Sequence, residues 1–476
     1  MKPIIALSLT VLLSVTNVFG AYYAVVSSSK TAADPEWAEV IDELLQKHDG
    51  FALAYQQDPA ELRAALAERR PEYTCFVATP EEASREFVSK VHSLTRTLDA
   101  DPYGDTIWGI LTGFDAANAL RIARHSEPLS VHNVASGTEF AMEMVDRGIW
   151  FSELEAGLYV EKESGDKPRR QSGPADSTAA IVGCLNEQRT DLFITSGHAT
   201  ERDWMLGFRY NNGFFKCRPG QLFAIDTQKQ TTDIVSSNPK IYMPIGNCLM
   251  GHIDSRDAMA LAWMNSAGVM QMLGYTVPTW YGYAGWGCLD YFLEQPGRYS
   301  FAEAVFANHQ ALLHRLYTHF PEANEATAAD ATLAPNAAGQ RAGLTSQDAR
   351  GLVFDRDVLA FYGDPAWQAR MAPAPLPFEQ SLTYVRDGDA PVRYTFIIAP
   401  NQGAGSFQTV NDNGSQRGGR PFFARLPIRI DAVEILAGNE YQPIVTENFI
   451  LVPRPGKESP AESIKILFQG NVLERL

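Results

Sequence analysis

Short apolar runs alternate with amphipathic stretches over the first 100 residues, and similar runs recur as far as residue 275. The apolar runs occupy positions 22–27, 51–55, 73–78, 106–111, 192–195, 241–245 and 269–273. Helical periodicity occupies positions 34–46, 59–69 and 81–98. Apolar runs of this length predict buried strands, and strands that alternate with helices predict a mostly parallel sheet flanked by helices.

Two of these runs lead to residues that can carry chemistry. The run at 192–195 leads to His198 and the run at 241–245 leads to Cys248, each with a glycine within the two preceding positions. In open α/β sheets, ligands bind beyond the carboxyl ends of the strands. The two runs therefore predict an imidazole and a thiol at such ends, the pair that a thiolate nucleophile with a histidine base requires.

Each residue also has a simpler interpretation. A single cysteine after an apolar run is usually a small buried hydrophobe, and a single histidine is usually a surface or hydrogen-bonded residue. The combination favours catalysis, because a histidine about 50 residues before the cysteine is the caspase-type order.

At these positions the chain resembles the gingipain family of cysteine peptidases, which are related to caspases and legumains. The similarity spans roughly residues 22–370 and is most specific between 190 and 290. It rests on the apolar block before Ser196-Gly197-His198, the apolar block before Asn247-Cys248, the run 249–275, and the segment Tyr362-Gly363-Asp364-Pro365-Ala366.

The resemblance implies a caspase-like α/β domain in which Cys248 is the nucleophile and His198 its base. It also implies that the backbone N–H groups of Cys248 and of the residue after the histidine form the oxyanion hole. That residue is Ala199 here, where the family usually has glycine. Alanine keeps the N–H but enters positive φ less readily.

The resemblance suggests a third catalytic group and a pocket. Asp105 stands where the family has an acidic residue that orients the histidine, although it fits a turn cap before a strand equally well. Trp280, Tyr281 and Tyr283 follow the strand after Cys248 and would line the substrate pocket, or else cap the core. Asp115 would favour a basic side chain at the scissile position, unless it only caps a helix.

Composition restricts the class of protein. The 476 residues carry a formal charge of −16, which argues against nucleic acid and anionic membrane surfaces as partners and gives no indication of the substrate. Protein or peptide substrates are what the resemblance implies. Five cysteines is an odd number, which suggests one free reactive thiol. Pairing of Cys75, Cys184, Cys217 and Cys288 stays open. His252 and Asp254 have no third ligand nearby, so no metal or cofactor is expected.

Both ends of the chain carry further signals. Lys2 and the short apolar stretch that follows it predict a signal peptide over residues 1–20. We expect export to the periplasm, cell surface or exterior, with no transmembrane segment in the mature chain. A Pro-rich linker at 371–378 would separate an α/β domain, 21–370, from alternating short strands at 379–476, which predict a β-sandwich module.

The leading hypothesis is a secreted cysteine endopeptidase that acts through an acyl-enzyme. One alternative is a sortase-like transpeptidase, in which an amine resolves the same intermediate. The other is a non-catalytic binding or assembly protein that retains the fold.

Overall fold

The computed structural model describes residues 22–324, 333–455 and 462–473. The expected signal peptide, residues 1–20, lies outside the described residues. Within the described part of the chain, no helix combines the length and apolar character that crossing a bilayer requires.

The strands up to residue 371 are β1 (Tyr23–Ser28), β2 (Phe51–Tyr55), β3 (Tyr73–Val77), β4 (Ile107–Leu111), β5 (Leu129–Val131), β6 (Asn133–Ser136), β7 (Arg147–Phe151), β8 (Leu158–Lys162), β9 (Arg169–Ser172), β10 (Leu192–Thr195), β11 (Asp203–Met205), β12 (Phe214–Arg218), β13 (Gln221–Ile225), β14 (Thr231–Ile234), β15 (Lys240–Pro244), β16 (Val269–Tyr275), β17 (Leu359–Tyr362) and β18 (Ala369–Met371). The C-terminal strands are β19 (Phe378–Val385), β20 (Val392–Pro400), β21 (Phe422–Arg425), β22 (Ile430–Ala437), β23 (Ile444–Val445), β24 (Phe449–Val452) and β25 (Ile464–Val472). The helices are α1 (Ser29–Ala33), α2 (Pro35–His48), α3 (Arg63–Arg69), α4 (Arg85–Thr95), α5 (Ala116–Arg124), α6 (Thr178–Asn186), α7 (Met259–Ser266), α8 (Tyr283–Phe292), α9 (Phe301–His319), α10 (Ala337–Arg341) and α11 (Ser346–Asp355).

A 12-stranded sheet organises the α/β part, in the order β2-β1-β3-β4-β17-β16-β15-β10-β6-β7-β8-β9. Strands β1 to β4 are parallel, and β17 is parallel to β4 but antiparallel to β16. Strands β16, β15, β10, β6 and β7 are parallel to one another. The sheet therefore contains two parallel blocks that run in opposite directions, and the antiparallel strands β8 and β9 extend the second block. The carboxyl ends of the second block share one edge, which we call the β10–β15 edge.

The helices lie on this sheet because each has an apolar face. In α2, Asp34 caps the first turn before Pro35, and the buried side chains recur at helical spacing. The predicted helix at 81–98 is shorter in the structure, because Ser84 caps its first turn and α4 begins at Arg85. The prediction of a mixed α/β fold with a mostly parallel sheet flanked by helices is confirmed.

The C-terminal strands form two antiparallel sheets, one in the order β19-β20-β25-β22 and one in the order β21-β24-β23. Strand β24 is buried on both faces. Ile450 and Val452 belong to a core between the two sheets, whereas Phe449 and Leu451 belong to the core of the α/β part. The three-stranded sheet is thus enclosed between the α/β part and the four-stranded sheet. The exact domain boundaries, including the linker at 371–378, stay a prediction.

Buried charges also join the two parts. The Arg417 side chain is 2% exposed and contacts Asp290 at 2.7 Å and Glu294. Both carboxylates are buried as well, and burial together with the charge of Asp290 raises the pKa of Glu294. An ion pair in such a place contributes little net stability when intact, but the loss of one partner leaves an uncompensated charge.

We therefore expect Arg417→Met to lower the free energy of unfolding by about 3–5 kcal/mol, because the buried carboxylates of Asp290 and Glu294 lose the guanidinium that both contact. Urea denaturation of the full chain measures this cost. Arg393→Met, on the exposed face of β20, is the matched control and should change stability by less than about 0.5 kcal/mol. Equal, small effects of both substitutions would show that the Arg417 pairs do not hold the module in place.

Candidate active site

The β10–β15 edge brings together residues that follow five neighbouring strands. In spatial order they are Thr279 after β16, Cys248 after β15, His198 after β10, Thr138 after β6 and Glu153 after β7. Neighbouring strands in a sheet lie about 4.8 Å apart. Polar groups at adjacent strand ends are therefore within reach of one another.

The pairing of β10 with β15 sets the relative level of His198 and Cys248. Leu192 pairs with Ile241 and Thr195 with Pro244, so both strands end at the same height. One residue further on, the Ile245 N–H donates to the Thr195 carbonyl oxygen at 3.0 Å. The two predicted catalytic residues thus leave the sheet side by side.

The Cys248 thiol is partly exposed and has a backbone donor. The Thr279 N–H donates to Cys248 Sγ at 3.2 Å. The next residue, Leu249, has a φ of 57°, a left-handed conformation that is uncommon for a leucine. Its N–H donates to the Val277 carbonyl oxygen at 3.1 Å, which fixes the turn. The Thr279 N–H and the turn at Leu249 therefore fix the position of the Cys248 side chain.

The other four cysteines are in different environments. All five are free thiols, so the structure contains no disulfide among them. Cys75, Cys184 and Cys288 are buried, and burial raises the pKa of each, to about 12 for Cys184 and Cys288. Burial also raises the pKa of the partly buried Cys217 to about 12. These four are therefore poor nucleophiles at neutral pH.

His198 is exposed and its ring is supported from one side. It stacks on Phe208, with ring centroids 4.6 Å apart and an angle of 26° between the planes. The Phe208 N–H donates to the Glu153 carbonyl oxygen at 2.7 Å, which ties the stacking ring to the end of β7. The other face of the imidazole is therefore the one available to a substrate.

The backbone after His198 forms a narrow hairpin. The Met205 N–H donates to the His198 carbonyl oxygen, and the Thr200 N–H donates to the Asp203 carbonyl oxygen, at 2.9 and 2.8 Å. These two hydrogen bonds lie on either side of Ala199 and Trp204, which face each other across the hairpin. Ala199 and Trp204 therefore form a pair without hydrogen bonds between their own backbone groups. The Ala199 N–H points away from the partner strand and stays available as an oxyanion donor.

Asn247 is a residue that the sequence analysis did not select. It is fully buried and accepts a hydrogen bond from Thr195 Oγ1 at 2.6 Å. Its amide nitrogen donates to the carbonyl oxygens of Ser196 and Gly197 at 2.9 and 3.2 Å. Thr279 Oγ1 donates to its carbonyl oxygen at 3.2 Å. Asn247 therefore holds the loops after β10, β15 and β16 together.

Glu153 is the second such residue. Its Oε1 accepts from Ser196 Oγ at 2.5 Å and from Thr138 Oγ1 at 2.7 Å, whereas Oε2 is buried without a hydrogen-bond partner among the described residues. A Cβ built on Gly197 would lie 2.8 Å from Oε2, so this oxygen lies against the residue before His198. Burial raises the pKa of Glu153, while the two hydrogen bonds and the nearby His198 oppose that shift.

The structure does not bring the other two predicted acids to His198. Asp105 precedes β4, four strand spacings or about 19 Å from β10. It lies beside Asp99 and Asp101, with burial and both carboxylates raising its pKa, and its Oδ2 accepts from the Leu98 N–H. Asp115 follows β4 at the opposite edge and caps α5 through the Asn118 N–H at 2.8 Å. Both positions match the simpler interpretation, a turn or helix cap.

The three predicted aromatic residues divide into one exposed and two buried side chains. Trp280, next to the Cys248 donor Thr279, is 43% exposed and packs against Tyr281 and Phe354. Tyr281 is buried with its hydroxyl on Asp348, and Tyr283 is buried under Arg420. Of the three, Trp280 is placed to contact a substrate, and the two tyrosines support the loop from inside.

Two gingipain structures align with most of the chain. One is the crystal structure of the Arg-specific cysteine proteinase gingipain R, with 11% identity over 92% of each chain and a TM-score of 0.45. The other is the complex of Porphyromonas gingivalis RgpB pro- and mature domains, with 9% identity over 91% of this chain and 93% of that chain and a TM-score of 0.43. No protein-family model and no curated protein matches the chain. Similarity at this level does not transfer an activity.

We predict that Asn247→Ala lowers the free energy of unfolding by about 2–3 kcal/mol, because Thr195 and two backbone carbonyl groups lose a buried partner. Urea denaturation measures the change. Asn186→Ala is the control, since that amide also makes two hydrogen bonds to backbone groups, at the end of β14, but is exposed, and it should cost less than about 1 kcal/mol. A loss no larger for Asn247 than for Asn186 would contradict the role of Asn247 in holding the site together.

Proposed function

We propose that the protein is a cysteine endopeptidase in which Cys248 and His198 form the catalytic dyad. The observation that carries this proposal is the partly exposed Cys248 thiol, which accepts the Thr279 N–H at a strand end beside that of His198. A thiol, an imidazole and free backbone N–H groups on one edge are the components that acyl transfer requires.

In the proposed reaction the Cys248 thiolate attacks the carbonyl carbon of a peptide bond. The negative charge that develops on the carbonyl oxygen is stabilised by the backbone N–H groups of Cys248 and Ala199. The imidazolium of His198 then gives its proton to the leaving amine, and a thioester to Cys248 remains. His198 next takes a proton from water, whose oxygen attacks the thioester. The bond to sulfur breaks, the acid is released, and the Cys248 thiolate and the His198 imidazolium are restored.

Glu153 takes the place proposed for Asp105 as the carboxylate that acts on His198. It does so through the loop, because it binds the Ser196 hydroxyl and lies against Gly197. Glu153 is thus a positioning residue, which holds the segment before His198 in place.

The walls on either side of the dyad are apolar and exposed. Trp280 flanks Cys248, while Phe208, 43% exposed, flanks His198. Asp115 lies at the opposite edge and cannot select a basic side chain here. We propose that a large apolar or aromatic substrate residue occupies the surface beside Trp280, and that the chain acts on proteins outside the cytoplasm after removal of residues 1–20.

Cys248→Ala and His198→Ala should each lower kcat/KM on fluorogenic peptides by about 10⁴-fold or more, and the double variant should cost little further, because the two residues act as one unit. Cys217→Ala is the matched control for loss of a partly exposed thiol and should keep full activity. Peptide hydrolysis that survives Cys248→Ala would refute the proposed function. An added amine that captures the acyl group faster than water would identify a transpeptidase instead.

Glu153→Gln should lower kcat about ten- to hundredfold with little change in KM. This loss is smaller than the ~10⁴-fold loss seen when an aspartate bonded directly to a catalytic histidine becomes asparagine, because Glu153 acts on His198 only through the loop. The free energy of unfolding of the variant at pH 7 should equal or exceed that of the wild type. Burial raises the pKa of Glu153, so keeping this side chain ionised in the folded state lowers the stability of the wild type as the pH rises. Glu155→Gln, an exposed neighbour, is the control. If Glu153→Gln also lowers the free energy of unfolding, and the loss of kcat reflects only the loss of folded protein, Glu153 is a structural residue and not a positioning residue.

A further inference from the structure

The connection between β20 and β21 is unusually long. It covers residues 401–421, which we call the 401–421 loop, and contains one short 3₁₀ turn at Gly403–Gly405. Loops longer than about 12–15 residues inside a compact domain are uncommon and are usually functional or disordered. This loop extends from the end of β20 towards the α/β part, away from the β19–β20 turn.

Buried contacts fix the C-terminal half of the loop. Arg417 binds Asp290 and Glu294 of the α8 region, and the Gly418 N–H donates to Asp290 at 2.9 Å. Arg420 lies 3.7 Å from the ring centroid of Tyr283 and donates to Asn308 at 2.8 Å. The loop therefore has a fixed base, and its middle is held close to the start of α8.

The middle of the loop, residues 411–415, lies on the β10–β15 edge. Asn411 and Asn413 donate to Glu139 Oε1 and to the Glu139 carbonyl oxygen, at 3.4 and 3.1 Å. Glu139 follows β6, the strand next to that of His198. The loop thus contacts the edge on the His198 side.

The same segment also reaches the Cys248 side. A Cβ built on Gly414 would lie 2.1 Å from Trp286 Cε3, and a Cβ built on Gly246 would lie 2.7 Å from Trp286 Nε1. One indole ring therefore lies against both the loop and the residue two positions before the nucleophile. The segment 411–415 thus contacts groups next to the ends of β6 and β15, the two strands on either side of β10.

Asp412 is the exposed acidic residue of this segment. Among the described residues none forms a hydrogen bond or ion pair with it, and Glu139 beside it is exposed and without a cation. The segment thus presents negative charge at the edge, apart from the apolar surface of Trp280. A positively charged side chain is the complementary group.

We propose that the segment 411–415 forms one wall of the substrate cleft, so that the C-terminal module takes part in binding extended polypeptides that carry lysine or arginine away from the scissile bond. This inference rests on the proposed peptidase function. It assigns to the second module a part in selecting long substrates, with Asp412 facing the basic side chain.

The test compares an eight-residue peptide containing lysine with a three-residue reporter. Asp412→Ala should lower the ratio of kcat/KM between the long and the short peptide about two- to fivefold, the range of an exposed charge pair, and Asp412→Lys about tenfold. Replacing the peptide's lysine by alanine should abolish the difference between wild type and variants. Asp389→Ala, an exposed aspartate in the β19–β20 turn of the same module, is the matched control and should leave the ratio unchanged.

Binding to the Cys248→Ala protein separates this inference from the proposed function. Fluorescence anisotropy of the labelled eight-residue peptide should show about tenfold weaker binding when Asp412→Lys is added. Unchanged binding and an unchanged ratio would overturn the inference while leaving the peptidase intact. If the wild-type chain cleaves no peptide but Asp412→Lys still weakens binding, the result would support the wall and refute the peptidase.

Discussion

The register between β10 and β15 is the constraint on which the candidate site depends. Thr195 pairs with Pro244, and the two strands are parallel, so the segments that carry His198 and Cys248 emerge at one height and one strand spacing apart. A shift of one residue would turn every side chain of a strand to the other face. Both strands are fully buried, so the apolar core on both faces resists such a shift. The position of the dyad is therefore set by the same packing that stabilises the sheet.

Register alone brings the strand ends together but does not fix the loops beyond them. Those loops expose backbone carbonyl groups in a partly buried setting, where an unpaired group is costly. Asn247 satisfies two of them and Thr279 joins the third loop, while Glu153 holds Ser196. Each of these polar groups thus serves folding and site geometry at once. The surrounding contacts also compensate for the strain of the left-handed turn at Leu249, the residue after Cys248.

The sequence predicted the strands before His198 and Cys248 because each is a continuous apolar run that ends in glycine and polar residues. It did not predict which edge each strand end faces. Strand β4 belongs to the block that runs opposite to β10, so Asp115, after β4, lies at the far edge, and Asp105, before it, lies three intervening strands away. Strand order and direction depend on long-range pairing that periodicity does not record. Asn247 had a local signal, an amide directly before the cysteine, whereas Glu153 follows the short strand β7, and only pairing with β6 brings it to the site.

The C-terminal strands are attached to the α/β part in two ways, by a shared hydrophobic core and by buried ion pairs. Phe449 and Leu451 of β24 join the α/β core, but the region nearest the dyad is attached by charge, through Arg417 and Arg420. Buried ion pairs are directional, and they contribute more to a defined geometry than to net stability. An apolar contact would tolerate sliding of the 401–421 loop along α8, whereas the guanidinium groups with their carboxylate partners admit one position. In the proposed cleft, the wall formed by residues 411–415 faces a nucleophile carried by the α/β part, and the buried ion pairs at the base of the loop fix the position of one relative to the other.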